Sequence, residues 1–301
     1  MLLRKLIAAI RRSAVIQQRD SWVWFKVNGL SRYLLVHLAS GAIPLYTVNE
    51  FPKSGGTWLA QMLAKALEIP FPRNRLPALG SAVMHGHYLR RWGMKNVVVV
   101  WRDGRDALVS LYFHALFEND GWNARLVRAV RRDLPFSDYA DIGANMPRFI
   151  EYAFERKRHP RFSWSDFVEH WYGRPSVTYV RYRDLLQNAP EELRRIVRAL
   201  TGRELSAETA LHIADEFSFQ RQAGRPRGQE VRRSFLRKGV AGDWRNHFSL
   251  EARQLFDHYA GDALIQLGYE RDHAWVDEGH GSLGMLPGPA SRPADARVAS
   301  A

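Results

Sequence analysis

The sequence predicts an α/β protein, with a central parallel β-sheet flanked by helices on both faces. Three observations carry this reading. Short runs without polar alternation, at Ile43–Val48, Val97–Trp101 and Val177–Val180, have the composition of strands buried on both sides. Each run leads into a segment whose apolar residues recur at helical spacing, the strand–helix order of a parallel sheet. The first strand also leaves through a glycine turn, Pro52-Lys-Ser-Gly-Gly56, directly into a helix. Sheets of this kind bind ligands beyond the carboxyl ends of their strands, and the turns at 52–58, 102–110 and 182 all fall there.

The elements follow in order. Residues 1–20 read as a basic amphipathic helix, with Leu3, Ile7, Ile10 and Ala14 on one face and Arg4, Lys5, Arg11 and Arg12 as its charges. It suits a peripheral contact with anionic lipid or packing on the domain, and it lacks a secretory cleavage site. Residues 1–40 form an N-terminal helix and connection, and residues 41–270 the main domain. After the first strand, Leu59, Met62, Leu63, Ala66 and Leu67 mark a helix. Pro70 to Pro77 is a proline-broken connection, and Val83–Tyr88 a short strand end or loop. Leu108, Leu111, Tyr112, Ala115 and Leu116 mark the helix after the second strand. Residues 118–162, with Gly121, Pro135, Gly143 and Pro147, read as the least regular part and as a variable insertion, the segment expected to differ with substrate. Ser163 caps a helix with Asp166 at the capping-box position, and its face of Trp164, Phe167, Val168, Trp171 and Tyr172 reads as core. Pro190 opens a helix that Gly202 ends; Ser206 and Ser249 cap two more. Residues 221–238 read as a basic loop, and 278–301 as a disordered tail.

At 301 residues, with 46% hydrophobic and 25% charged content, the chain can bury a substantial core. It has no cysteine, which excludes disulfides and thiolate chemistry and fits a reducing, cytoplasmic compartment. No run of 18 apolar residues predicts a membrane span. The net charge of +13 calls for an acidic partner: a phosphorylated small molecule, anionic lipid or nucleic acid.

The turn after the first strand is built for an anion. Backbone N–H groups at a helix start have no internal partner, and the helix dipole favours negative charge there. Gly55 and Gly56 allow close approach, Lys53 adds a charge, and Ser54 and Thr57 add hydroxyls. A nucleotide triphosphatase loop would carry its lysine after the glycines, not before them. Arg102 at the second strand tip and Ser110, eight residues on, suit a second phosphate. Arg237 and Lys238, ahead of Gly239 and the turn at Gly242-Asp243-Trp244, form a further cationic clamp. Two anion sites point to a ligand with two anionic ends.

These three stretches together resemble the PAPS-dependent sulfotransferase family of the cytosolic type. The matching segments are Pro52-Lys-Ser-Gly-Gly-Thr-Trp58, Arg102-Asp-Gly-Arg-Asp-Ala-Leu-Val-Ser110 and Arg237-Lys-Gly-Val-Ala-Gly-Asp-Trp-Arg245. The resemblance covers about residues 43–270 and implies a phosphate-loop-like fold of that family. It also implies the cofactor 3′-phosphoadenosine 5′-phosphosulfate (PAPS), with the bisphosphate PAP as product. Lys53, Ser54, Gly55, Gly56 and Thr57 would hold the 5′-phosphosulfate, and Trp58 would stack on the adenine. Arg102, Ser110, Arg237, Lys238 and Gly239 would grip the 3′-phosphate. Tyr182, Ser218 and Phe219 would touch the adenine.

His87, in Val83-Met-His-Gly-His87, stands at the family's general base. Its ordinary pKa near 6.5 suits removal of an acceptor proton. His85 replaces a lysine found in many members, and Gly56 replaces a hydroxyl residue. Lys53 would stabilise charge on the leaving oxygen. No metal is expected, because His85 and His87 alone are too few ligands. The implied reaction is sulfuryl transfer to a hydroxyl or amine of a small-molecule, sugar or lipid acceptor. A homodimer is compatible with this reading, and nucleic acid is not the expected partner. The competing readings are a kinase with an atypical phosphate loop and a basic module for nucleic acid or membrane.

Overall fold

A computed structural model describes residues 22–73, 75, 80–119 and 123–277. The basic segment 1–20, the middle of the Pro70–Pro77 connection and the tail from 278 lie outside the described residues. Helix α1 (Trp22–Leu34) runs through a π-helical turn (Leu35–Ala39) to strand β1 (Leu45–Glu50). Then come α2 (Gly56–Ala66), β2 (Ala82–Gly86), β3 (Val97–Trp101), α3 (Gly104–Leu116), α4 (Ala124–Asp133) and α5 (Ile142–Glu151). The chain continues through α6 (Trp164–Trp171), β4 (Val177–Arg181), α7 (Tyr182–Thr201), α8 (Ala207–Glu216), α9 (Phe219–Ala223) and α10 (Leu250–Gln266).

The four strands form one parallel sheet in the order β2-β1-β3-β4. Val83–Tyr88, read from sequence as a short strand end or loop, supplies a full edge strand, with Leu45 opposite Ala82 and Asn49 opposite Gly86. The run at 97–101 shows why such strands do not alternate in polarity. Val97, Val99 and Trp101 pack into the core on one face, with α3, α5, α6 and α10. Val98 and Val100 pack into the core on the other, with α2, α7 and α8. Each fully buried valine contributes about 1.5–3 kcal/mol, so neither face tolerates a polar residue cheaply. The sequence order reverses across β1: β2 lies on one side of it and β3 on the other. A crevice therefore opens between the carboxyl ends of β1 and β3.

Residues 118–162 are more regular than expected. They hold α4 and α5, with Val127, Val130, Ile142, Met146, Phe149 and Ile150 buried. Pro135 follows α4 and Gly143 lies in the first turn of α5, while Pro147 sits inside α5; Asp141 caps α5 by accepting from Ala144 N. Other expectations hold locally. The Ser163–Asp166 capping box forms, Ser206 and Ser249 cap α8 and α10, and Gly202 closes α7 in the left-handed region. Pro190 follows a break at Asn188, so α7 is two helical pieces joined end to end. Beyond α10 the chain still contributes core: Trp275 and Val276 are buried. Among the described residues, no helix is long and apolar enough to cross a membrane.

Candidate active site

The first loop leaves β1 at Glu50 and enters α2 at Gly56. Lys53 holds a positive φ of 72°, a costly conformation for a side-chain-bearing residue and one that collects at functional loops. Gly55, at φ 98°, lies against the Tyr182 ring; a Cβ there would come within 2.6 Å of Tyr182 Cδ2. Lys53 Nζ lies 4.1 Å from the centre of the Phe235 ring. Burial, with Arg102, Arg237 and Arg73 nearby, pushes the Lys53 ammonium down to about 8 against the opposing pull of Glu50.

Arg102 ties two loops together. Its Nη1 donates to Lys53 O at 2.6 Å, its Nη2 to Val240 O at 3.3 Å, and its guanidinium lies 4.6 Å from the centre of the Tyr182 ring. Asp103 and Asp106, its neighbours in sequence, do not bond Arg102. Those carboxylates are turned elsewhere. Asp103 binds Arg105, while buried Asp106 accepts from Gly242 N at 2.6 Å and Trp244 N at 3.0 Å, anchoring the third loop. That loop is not an exposed basic loop: Arg237 is buried and bonds Asp243 at 2.5 Å, and Lys238 bonds the same carboxylate at 2.6 Å. The two cations and His247 hold the Asp243 carboxyl far below the usual range against the cost of burial. Ser110 lies buried on α3.

Tyr182 opens α7 directly after β4, and its ring stands edge-on to Trp58 at 6.3 Å. Phe219 is buried against Gly239. Ser218 caps α9, accepting from Arg221 N. Three buried polar atoms around this crevice have no hydrogen-bond partner among the described residues: Ser54 Oγ, Trp58 Nε1 and Arg102 Nε. Donors buried without acceptors suit a bound anion.

His85 and His87 extend from the end of β2 toward Glu50. His87 Nδ1 lies 3.0 Å from Glu50 O. A carbonyl only accepts, so Nδ1 carries the proton and Nε2 keeps its lone pair. Desolvation, and then His85, push the His87 imidazole down to about 4, although the residue is exposed to solvent. His114, whose ring stands 6.5 Å from that of Phe235, is also driven down to about 4 by burial and by Lys53 and His87. Potential ligand atoms of Glu50, His85 and His87 lie within 4.8 Å of one another. Hydrogen bonding within the group, and from Gly56 N to Glu50, engages both carboxylate oxygens.

The structure thus brings Lys53, Ser54, Gly55, Gly56, Thr57, Trp58, Arg102, Tyr182, Phe219, Arg237, Lys238 and Gly239 around one crevice, with His87 on its β2 side. Sequence reasoning missed Glu50, Asp106, Asp243 and Arg227, whose guanidinium stands 5.8 Å from the Trp58 ring centre. A carboxylate closing a fully buried strand was a legible signal for Glu50. The others show only once the loops meet.

This is an α/β protein with a strand–glycine loop–helix unit at the reversal point of a parallel sheet. Residues 93–268, more than half the chain, match the family model described as a sulfotransferase domain, and the chain belongs to that family. It is 27% identical over 259 residues to sulfotransferase 1E1 of Cavia porcellus, covering 70% of this chain and 80% of that one. It is 30% identical over 178 residues to the Homo sapiens sulfotransferase 1E1, covering 54% of this chain and 53% of that protein. A crystal structure of the mouse sulfotransferase SULT7A1 complexed with PAP superposes with a TM-score of 0.52 at 19% identity, over 78% of this chain and 88% of that chain, a likeness of fold.

Proposed function

We propose that this chain transfers the sulfuryl group of PAPS to a hydroxyl or amine acceptor, with His87 as general base. The observation that carries this reading is the joining of three motifs: Arg102 hydrogen-bonds the first loop at Lys53 and the third at Val240. Lys53 and Arg102, with Arg237 and Lys238 held by Asp243, then gather beside an aromatic pair, a donor set suited to a nucleotide with phosphate groups at both ends.

The residues fit that group. Lys53, the loop around Ser54–Thr57 and the α2 start would hold its 5′ end. Arg102, Ser110, Arg237 and Lys238 would hold the 3′-phosphate, and Trp58, Tyr182 and Phe219 would flank the base. When bound, PAPS supplies an electrophilic sulfur and a good leaving group. His87 Nε2 carries the lone pair that accepts the acceptor's proton, while Nδ1 stays bonded to Glu50 O. Lys53 contributes positive charge where negative charge develops, in a site whose dipoles are already oriented. Beyond β2, Tyr88 stands edge-on to Tyr33, which in turn stands edge-on to Trp92.

Thermal unfolding with 3′,5′-adenosine bisphosphate, against ATP with magnesium and 5′-AMP, tests the reading. At 100 times its dissociation constant the bisphosphate should stabilise by about 2.7 kcal/mol. A shift with ATP and magnesium alone would favour a kinase; no shift with any of them would overturn the cofactor site.

A further inference from the structure

Glu50 closes the central strand β1 with a carboxylate that is 3% exposed. Such a group persists in a core only when its oxygens are satisfied. All three oxygens of Glu50 are. His85 Nε2 lies 2.9 Å from Oε1, Gly56 N donates to Oε2, and His87 Nδ1 donates to the main-chain oxygen. Burial raises the Glu50 pKa, but the hydrogen bond from His85, the nearby histidines and the Gly56 N–H outweigh it, so the carboxyl stays below its ordinary value. An ionised carboxylate only accepts, so His85 carries its proton on Nε2 toward Glu50. The two imidazoles then meet edge-on, with ring centres 5.1 Å apart.

Gly56 belongs to the same arrangement. A Cβ at this position would lie 2.7 Å from Glu50 Cδ and 3.0 Å from Oε2. Any side chain at 56 displaces the carboxylate, which explains on steric grounds why a hydroxyl residue is missing from this loop. Glu50 also occupies the Gly56 N–H, so it settles which donors of the α2 start remain for an anion.

We propose that Glu50 is a positioning residue of this site: through its carboxylate it fixes His85 and the first turn of α2, and it does so only because residue 56 is glycine. The inference rests on the reading of His87 as base for its catalytic consequence. Its structural content stands apart from that reading.

The test is a double-mutant cycle of Glu50→Thr and Gly56→Thr, with Glu50→Gln as an isosteric control. Gly56→Thr alone should lower kcat about 10²-fold, the scale of a displacement near 1 Å at a reacting centre, with KM for the donor within about threefold. The double variant should recover at least about tenfold of that loss, because removing the carboxyl frees the space. Glu50→Gln, which keeps one acceptor oxygen, should lie between. ¹⁵N spectra of the histidines in the free protein supply a readout independent of turnover. Glu50→Thr should convert His85 from an Nε2–H form to a mixture and leave the Nδ1–H form of His87, held by a main-chain carbonyl, unchanged. Additive losses in the cycle, or an unaltered His85 spectrum in Glu50→Thr, would overturn the proposal. Should the wild-type chain transfer no sulfuryl group, the functional reading fails, while the His85 spectra and the thermal stabilities of the cycle still decide the role of Glu50.

Discussion

Replacing Arg102 by alanine removes three contacts that join the first loop, the third loop and Tyr182. The 2.6 Å bond to Lys53 O is charge-assisted and scales at about 1.5–3 kcal/mol. The 3.3 Å bond to Val240 O belongs at the weak end, about 0.5–1 kcal/mol. The cation over Tyr182, at 4.6 Å, adds about 0.5–1 kcal/mol. The net loss should be about 2.5–4 kcal/mol after the loops relax and water enters. For a domain of this size each kcal/mol moves Tm by about 2 °C, so differential scanning calorimetry should record a fall of roughly 5–8 °C. In titration calorimetry, affinity for 3′,5′-adenosine bisphosphate should weaken about 10- to 150-fold, equivalent to about 1.5–3 kcal/mol. Arg102→Lys keeps the charge but cannot reach both carbonyls with one planar fork, so it should recover part of the affinity and little of the Tm. A Tm fall under about 2 °C, together with unchanged affinity, would refute the view that Arg102 holds the loops in register.

Three further outcomes are expected. His87→Ala should lower turnover by about 10²- to 10⁴-fold with bisphosphate affinity near normal, and normal turnover would move the base elsewhere. Bisphosphate affinity should fall as pH rises through about 8, because the folded Lys53 pKa is depressed to about 8 and the cation is lost there rather than near its ordinary value. Binding at pH 8–9 should therefore take up a proton, read by calorimetry in buffers of different ionisation enthalpy, and Lys53→Arg should abolish both effects. Asp106→Ala leaves the Gly242 and Trp244 N–H groups buried without acceptors, at about 1–3 kcal/mol each, so Tm should fall by about 4–12 °C. An unchanged Tm would mean that the third loop is anchored by other contacts.

The sheet and the three motifs were legible because their signals are local. Val97–Trp101 can only be a doubly buried strand, and a glycine turn between strand and helix is an anion site by backbone geometry alone. The helices α4 and α5 were hidden by Gly121, Pro135, Gly143 and Pro147, although Ile142, Met146, Phe149 and Ile150 already carried helical spacing. Gly143 in the first turn of α5 and Pro147 inside it look the same in sequence as breakers in a loop. Trp164, Phe167, Val168 and Trp171 read correctly as core because a wide apolar face has nowhere else to go, whereas Tyr172, read with them, ends the helix and is 38% exposed. Ser218 was assigned to the adenine by resemblance; its hydroxyl caps α9, a local bond that motif spacing does not reveal.

The sequence by itself determined the strand–loop–helix units and the residue types each brings to a strand tip, since these depend on neighbours a few residues apart. Tertiary structure decided which side chains meet. Arg102 bonds across 49 residues to Lys53 and across 138 to Val240, Asp106 holds a turn 136 residues away, and Glu50 reaches His85 on the neighbouring strand. The ionisation of Lys53 and His87, the tautomers of the two histidines and the need for glycine at 56 all follow from those meetings. Each depends on burial and on distances between charges, quantities that exist only after the sheet has brought β1, β2 and β3 side by side.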